Sequence, residues 1–201
     1  MNMDLVTIND RISYIEATQD PLSADIGIIR DESGVWLFDV GNDADRISGL
    51  SGEYNVVLSH FHQDHAGSID RIRVKELYLS KETYRHIGRG TVVESDVRIG
   101  GLHIFPIPSS HTKGSLGLEV DESYAFVGDA LYSKVKDGFY VFNAQLLKDE
   151  IKVLSGIKAP YFLVSHFKGL IRGKDEVIEE LKEIYAMRKK DYSDIKVRME
   201  P

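Results

Sequence analysis

Short runs of β-branched and aromatic residues, each cut off after a few positions by Gly, Asp or Ser, recur along most of this chain and restrict it to a sheet-rich fold. The expected strands lie at residues 11–17, 26–30, 35–39, 55–59, 77–80, 91–94, 102–107, 115–120, 124–127 and 161–165. Glu32-Ser33-Gly34 and Asp121-Glu122-Ser123 stand between neighbouring runs, where they supply the local hydrogen bonds or positive φ of hairpin turns. Helical periodicity is confined to residues 44–51, 80–88 with Ser80 as N-cap, 143–155 and 174–190. In the last of these Val177, Ile178, Leu181, Ile184 and Tyr185 form one apolar stripe. Asp175, Glu176, Glu179 and Glu180 lie toward its start and Arg188, Lys189 and Lys190 at its end, matching the helix dipole. Two sheets covered by helices is the implied layering. No repeat and no Pro- or Gly-rich linker divides the chain, so residues 1–201 are expected to form a single α/β domain.

Composition removes several function classes. Hydrophobic residues make up 42% and charged residues 28%, near the averages for soluble proteins. No stretch approaches the ~18 continuous apolar residues of a membrane span, so no membrane partner is expected. The N-terminal Met1-Asn2-Met3-Asp4 has an acid where a secretory signal carries positive charge, which points to a cytoplasmic location. With no cysteine there is no disulfide, and any bound metal must be held by nitrogen and oxygen. A net charge of −7 weighs against a nucleic-acid partner and favours a small-molecule substrate, although Lys134 and Lys136 beside Tyr132 could belong to a local basic groove.

The segment with the most chemistry is His60-Phe61-His62-Gln63-Asp64-His65, directly after the apolar run Val56-Val57-Leu58. On a strand, His60 and His62 point to the same side, so both imidazoles can reach one ion. Asp64 and His65, on a turning chain, diverge from them and can serve a second ion within the ~3.5–4 Å spacing of two-metal hydrolases. Neither site is complete, since zinc sites need at least three protein ligands. His111, Asp129 and His166 each follow an expected strand within a few residues and are the candidates to complete them. The other two histidines are read as ordinary: His86 in a surface helix, and His103 alternating along a strand.

This pattern, His60-x-His62-x-Asp64-His65 with later His111, Asp129 and His166, resembles the metallo-β-lactamase superfamily. Phe38-Asp39-Val40-Gly41 is similar to its strand-end Asp-x-Gly, His111-Thr112-Lys113-Gly114-Ser115 to its third motif, and Gly128-Asp129 to its fourth. The resemblance implies a four-layer αββα sandwich with two divalent metal ions, zinc foremost and iron or manganese as alternatives. It implies His60, His62 and His111 on the first metal, Asp64, His65 and His166 on the second, Asp129 bridging both, and Asp39 supporting the site. Asp64 is the expected catalytic residue, ligating and orienting a metal-bridging hydroxide that attacks the substrate. Departures from the pattern, Ser109-Ser110 before His111, Lys113 after it and Phe167 after His166, bear on substrate contacts.

Within the superfamily the all-His/Asp ligand set resembles that of glyoxalase II, so a thioester, ester or lactone is the expected substrate. Only residues 167–201 follow His166, too few for a helical glutathione-binding domain. The absence of the second-site cysteine found in many β-lactamases argues against that activity. The alternatives are an iron-dependent redox enzyme of the same fold, acting on persulfide or oxygen, or a phosphodiester hydrolase. Tyr132, Lys134, Tyr140, Asn143 and Lys168 lie close after the ligand positions and are potential substrate contacts or plain loop surface.

Overall fold

The computed structural model describes residues 5–199; the N-terminal residues 1–4 weighed above, and residues 200–201, lie outside them. In chain order the elements begin with β1 (Leu5–Thr7), β2 (Ile12–Ile15), the small hairpin of β3 (Thr18–Gln19) and β4 (Leu22–Ser23), β5 (Ile26–Asp31) and β6 (Gly34–Phe38). Next come α1 (Ala44–Ile47), β7 (Glu53–Val57), α2 (Gln63–Ala66), a 3-10 turn at Ile69–Arg71, β8 (Arg73–Leu79), α3 (Lys81–Ile87) and β9 (Thr91–Val92). The second half holds β10 (Val97–Ile99), β11 (Leu102–Ile107), β12 (Ser115–Val120), β13 (Tyr124–Gly128), β14 (Lys134–Lys136), β15 (Phe139–Asn143) and α4 (Ala144–Gly156). It closes with β16 (Tyr161–Val164), β17 (Ile171–Gly173), α5 (Lys174–Ala186) and β18 (Asp194–Arg198).

These strands form two large sheets, ordered β1-β2-β5-β6-β7-β8-β9 and β10-β11-β12-β13-β16-β17, with a three-stranded sheet β14-β15-β18 beside them. The first large sheet is antiparallel up to β6 and parallel from β6/β7 onward, whereas the second has a single parallel pair, β13/β16, among antiparallel ones. Side-chain alternation explains the layers. Trp36 and Phe38 of β6 face inward with Ile12, Ile29 and Val57 and meet Leu116, Leu118, Phe126 and Leu163 of the second sheet. Leu37 between them, with Val56, Leu58 and Leu79, faces outward onto Ile47 of α1, Ala66 of α2 and Ile69. On the second sheet Phe105, Ala125, Val127 and Phe162 face outward onto Leu147 and Leu154 of α4 and Val177, Ile178 and Leu181 of α5. The result is helix, sheet, sheet, helix.

Several elements are shorter than the sequence suggests. The expected helix at 44–51 ends at Ile47, its one buried residue, with Asp43 accepting hydrogen bonds from the Asp45 and Arg46 amides as the N-cap. Helix α5 stops at Ala186, and Met187 beyond it is 53% exposed, so the basic end at 188–190 has no apolar surface to follow. The strand expected at 55–59 ends at Val57, and His60 and His62 lie on the loop beyond it rather than on the strand.

Candidate metal centre

The loops after β6, β7, β11, β13 and β16 meet at one rim of the two sheets and bring together the side chains singled out above. Asp39, directly after β6, adopts a left-handed backbone (φ 60°), and its buried carboxylate points under the loop that follows β7. It accepts 2.7 Å hydrogen bonds from the Ser59 amide, the Ser59 hydroxyl and His65 Nδ1. The single hydroxyl proton of Ser59 goes to the carboxylate, so at 2.9 Å His60 Nδ1 is the donor to Ser59 Oγ. Asp39 and Ser59 thereby set both tautomers, leaving Nε2 of His60 and His65 to face the rim. Gly128 makes room for this: a Cβ there would lie 2.7 Å from Ser59 Cβ, and its φ of +55° suits glycine. Asp129 follows it.

Two groups of donor atoms result. Nitrogens of His60, His62 and His111 form one, and Asp64, His65, Asp129 and His166 the other, each gathered within 4.8 Å. His62 Nδ1 lies 3.1 Å from His111 Nε2. Asp129 stands between the groups, with Oδ2 3.3 Å from His65 Nε2 and 3.5 Å from His111 Nε2, and Oδ1 3.9 Å from His166 Nε2. Asp64 Oδ2 is 3.1 Å from His166 Nε2. His166 also has a left-handed backbone (φ 61°), held by its amide hydrogen bond to Asp25 Oδ2 at 2.9 Å, while the Tyr132 hydroxyl donates to the neighbouring Ser165 carbonyl.

The electrostatics differ between the two groups. Burial, and then the like charges of His65, His62 and His111, hold the His60 pKa far below the ordinary imidazole value, so that ring is neutral. Burial also lowers His62 and His111, more than the nearby Asp64 and Asp129 raise them. In the second group, burial opposes a charge on His65, but Asp39 and Asp129 outweigh it and push the pKa up to about 10. His166 is raised by its hydrogen bond to Asp64. Burial alone would raise the Asp64 carboxyl, yet His166 and His65 together hold it below the usual carboxylate value.

Buried acceptors therefore exceed donors. His60 Nε2, His65 Nε2 and Asp129 Oδ1 are buried without a hydrogen-bond partner. Three neutral imidazoles with converging lone pairs, next to carboxylates that favour positive charge, suit divalent cations bound by nitrogen and oxygen. Lys168 is exposed and Asn143 spends its side chain capping α4, whereas Lys134 lies beside the His111 loop.

Three neighbours of the site escaped the sequence. Ser59 was the last residue of an expected strand, and Asp25 reaches His166 across 141 positions with no local pattern to announce it. His86, read as plain helix surface, stacks flat on Phe61 with ring centroids 4.0 Å apart, beside His62. An unpaired aromatic between two metal-type histidines was the available hint.

No family model matches the sequence, and no curated protein matches it. Solved structures do. A subclass B3 metallo-β-lactamase with an active-site glutamic acid superposes with a TM-score of 0.68 over 93% of this chain and 90% of that one, at 12% identity. A metallo-β-lactamase from Hirschia baltica gives 0.64 over 92% and 98% at 15% identity. The chemotaxis sensor ODP, determined as a peroxy diiron species, gives 0.66 over 92% and 95% at 16% identity. Likeness at this level of identity is a likeness of backbones, and together with the helix–sheet–sheet–helix layering it shows that the chain has the metallo-β-lactamase fold.

Proposed function

We propose that this chain is a dinuclear metal-dependent hydrolase acting on a thioester, ester or lactone. The observation that carries the reading is Asp129, whose two carboxylate oxygens lie within reach of His65 and His166 on one side and His111 on the other. On this reading His60, His62 and His111 hold one cation, Asp64, His65 and His166 the other, and Asp129 both. Two divalent cations, zinc foremost with iron or manganese as alternatives, would supply Lewis acidity for the carbonyl and lower the pKa of water toward ~7. The protein's own share is positional. Asp39 and Ser59 aim Nε2 of His60 and His65 at the rim, and Asp25 fixes the strained backbone that aims His166. Asp64 has a second carboxylate oxygen to orient the nucleophile and take its proton.

The test is elemental analysis of the purified protein joined to a hydrolysis screen of thioesters, esters, lactones and phosphodiesters. About two metal ions per chain are expected, with activity lost on chelation and restored by zinc, manganese or iron. Full hydrolytic activity in metal-stripped protein would overturn the reading.

A second reading, iron-dependent redox chemistry, is favoured by the likeness to the diiron chemotaxis sensor. Protein that carries iron as isolated, consumes oxygen and hydrolyses none of the screened esters would select it. Among the described residues no helix is long and apolar enough to cross a membrane; the cytoplasmic location and the single domain over residues 1–201 remain part of the proposal.

A further inference from the structure

The loop that presents His111 also forms one wall of a groove of about 430 Å³, through Ser109, Ser110, Thr112 and Lys113. The opposite wall is one face of the β14-β15-β18 sheet. Register assigns that face. Phe142 and Ile195 pair with each other and are buried in the core beneath, so the alternate rows turn the other way. Those rows pair Lys134 with Val141, Lys136 with Phe139, Val141 with Lys196, and Phe139 with Arg198. Four cations thus share one face, of which Lys134 and Lys136 line the groove together with Lys113 of the opposite wall and one acid, Asp194, paired with Asn143. Among the described residues Lys113, Lys134 and Lys136 are in no ion pair.

A concentration of positive charge on a chain of net charge −7, in a groove walled by the loop that carries the candidate ligand His111, has a direct chemical meaning. We infer that this groove is an anion subsite, and that the substrate is a small ester, thioester or lactone carrying a carboxylate or phosphate arm that lies between Lys113 and the Lys134/Lys136 strand. The inference rests on the hydrolase reading for the position of the scissile bond, and on the groove alone for the arm. The groove's volume falls in the ~300–1,000 Å³ range of small-molecule sites, and its basic face is too local for the long phosphate track of a nucleic acid.

Two measurements on the purified, metal-loaded protein test it. The first titrates naphthalene disulfonate, a weak ligand for divalent metals, while following the amide resonances of Ser110, Thr112, Lys113, Val135 and Asn143. Those resonances are expected to shift, and the affinity to fall about tenfold or more in the K134E/K136E variant and at high salt. Melting temperature and metal content report that the variant is folded. The second compares p-nitrophenyl butyrate with the p-nitrophenyl monoester of glutarate and with the p-nitrophenyl ester of γ-phosphonooxybutyrate. The kcat/KM ratio of anionic to neutral ester is expected to exceed one and to fall about tenfold in K134E/K136E, and the better of the two anionic esters identifies the arm. Disulfonate binding without hydrolysis of any ester would keep the subsite and sink the hydrolase reading. Equal hydrolysis of neutral and anionic esters, with disulfonate binding unchanged in the variant, would overturn the subsite and leave the hydrolase reading intact. Displacement of the disulfonate by a single-stranded oligonucleotide, with no preference for either anionic ester, would overturn the small-molecule assignment.

Discussion

The two ends of the second sheet each bury a histidine against carboxylates, and they have opposite balances of donors and acceptors. At the end away from the rim, His103 near the start of β11 lies opposite Glu119 of β12, and its Nδ1 donates to Glu119 Oε2 at 3.0 Å. The other oxygen, Glu119 Oε1, accepts the Lys158 and Ala159 amides at 2.8 Å each, which ties the segment after α4 to the sheet. The Asp96 carboxylate, near the solvent, lies 3.1 Å from His103 Nε2. Here the buried carboxylate is saturated by donors and the cluster is a clasp. At the rim, five imidazoles and two carboxylates reach toward each other, and buried nitrogens and an oxygen are left without partners. Identical residue types thus make a structural tie where an imidazole and two backbone amides fill a buried carboxylate, leaving only His103 Nε2 without a hydrogen-bond partner, and a cation site where several acceptors converge.

The largest expected effect strikes the rim alone. Asp64→Asn keeps the shape of the side chain but loses a charge and an acceptor, so hydrolysis should fall by about 10²–10⁴-fold, while the metal-free protein melts as the unsubstituted chain does. Steady-state kinetics beside a melting curve checks this, and undiminished turnover would remove Asp64 from the chemistry. Next comes Asp39→Asn, which touches no cation on the proposed reading but loosens the tautomers of His60 and His65. Metal affinity measured by competition with a chelator should drop by about 10–100-fold. An unchanged affinity would mean that the buried Asp39 serves only to fold the loop.

Most of the rim was legible because its signals are local. The six residues 60–65 are contiguous, and His111, Asp129 and His166 each follow a run of strand-forming residues by a few positions. The layering was legible for the same reason, since Trp36, Leu37 and Phe38 alternate between two cores. What escaped was set by distance or by brevity. Asp25 acts on His166 through a backbone amide that no side-chain pattern encodes, and α2 is a four-residue turn too short to show a period. The β14-β15-β18 sheet was missed because one of its two faces is basic and solvated, so Lys134-Val135-Lys136 reads as loop until Phe142 and Ile195 are seen to cover the core.

The far clasp should respond in the opposite currency. His103→Ala removes one donor from Glu119 but leaves two backbone amides, so the cost should be about 1–3 kcal/mol in denaturant unfolding, with metal content and turnover unaltered. The pH dependence has a definite sign. Burial would raise the Glu119 carboxyl, but the His103 hydrogen bond and the two amides outweigh it and hold it below its ordinary 4.5. The stability it contributes is present above that ordinary value and is lost as pH falls through the lower folded one. The acid limb of the stability profile should therefore flatten in His103→Ala; a substitution that instead stripped the metals would break the separation between the two ends.

The smallest effect comes from a third kind of buried carboxylate. Glu150 lies on the inner face of α4 between Leu147 and Leu154, 1% exposed, with Oε1 unpartnered. Burial alone pushes its pKa well above 4.5. The sign is the reverse of Glu119: the folded state prefers the protonated acid, so stability is greatest below the ordinary value and declines as pH rises above it toward the folded one. Glu150→Gln carries the neutral form at every pH, and should raise the melting temperature by a few degrees at pH 7, with the gain shrinking to nothing near pH 4. Equal melting curves at both pH values would mean that Glu150 finds water or a donor as Glu119 does. The contrast would then lie between the rim and every other buried acid in the molecule.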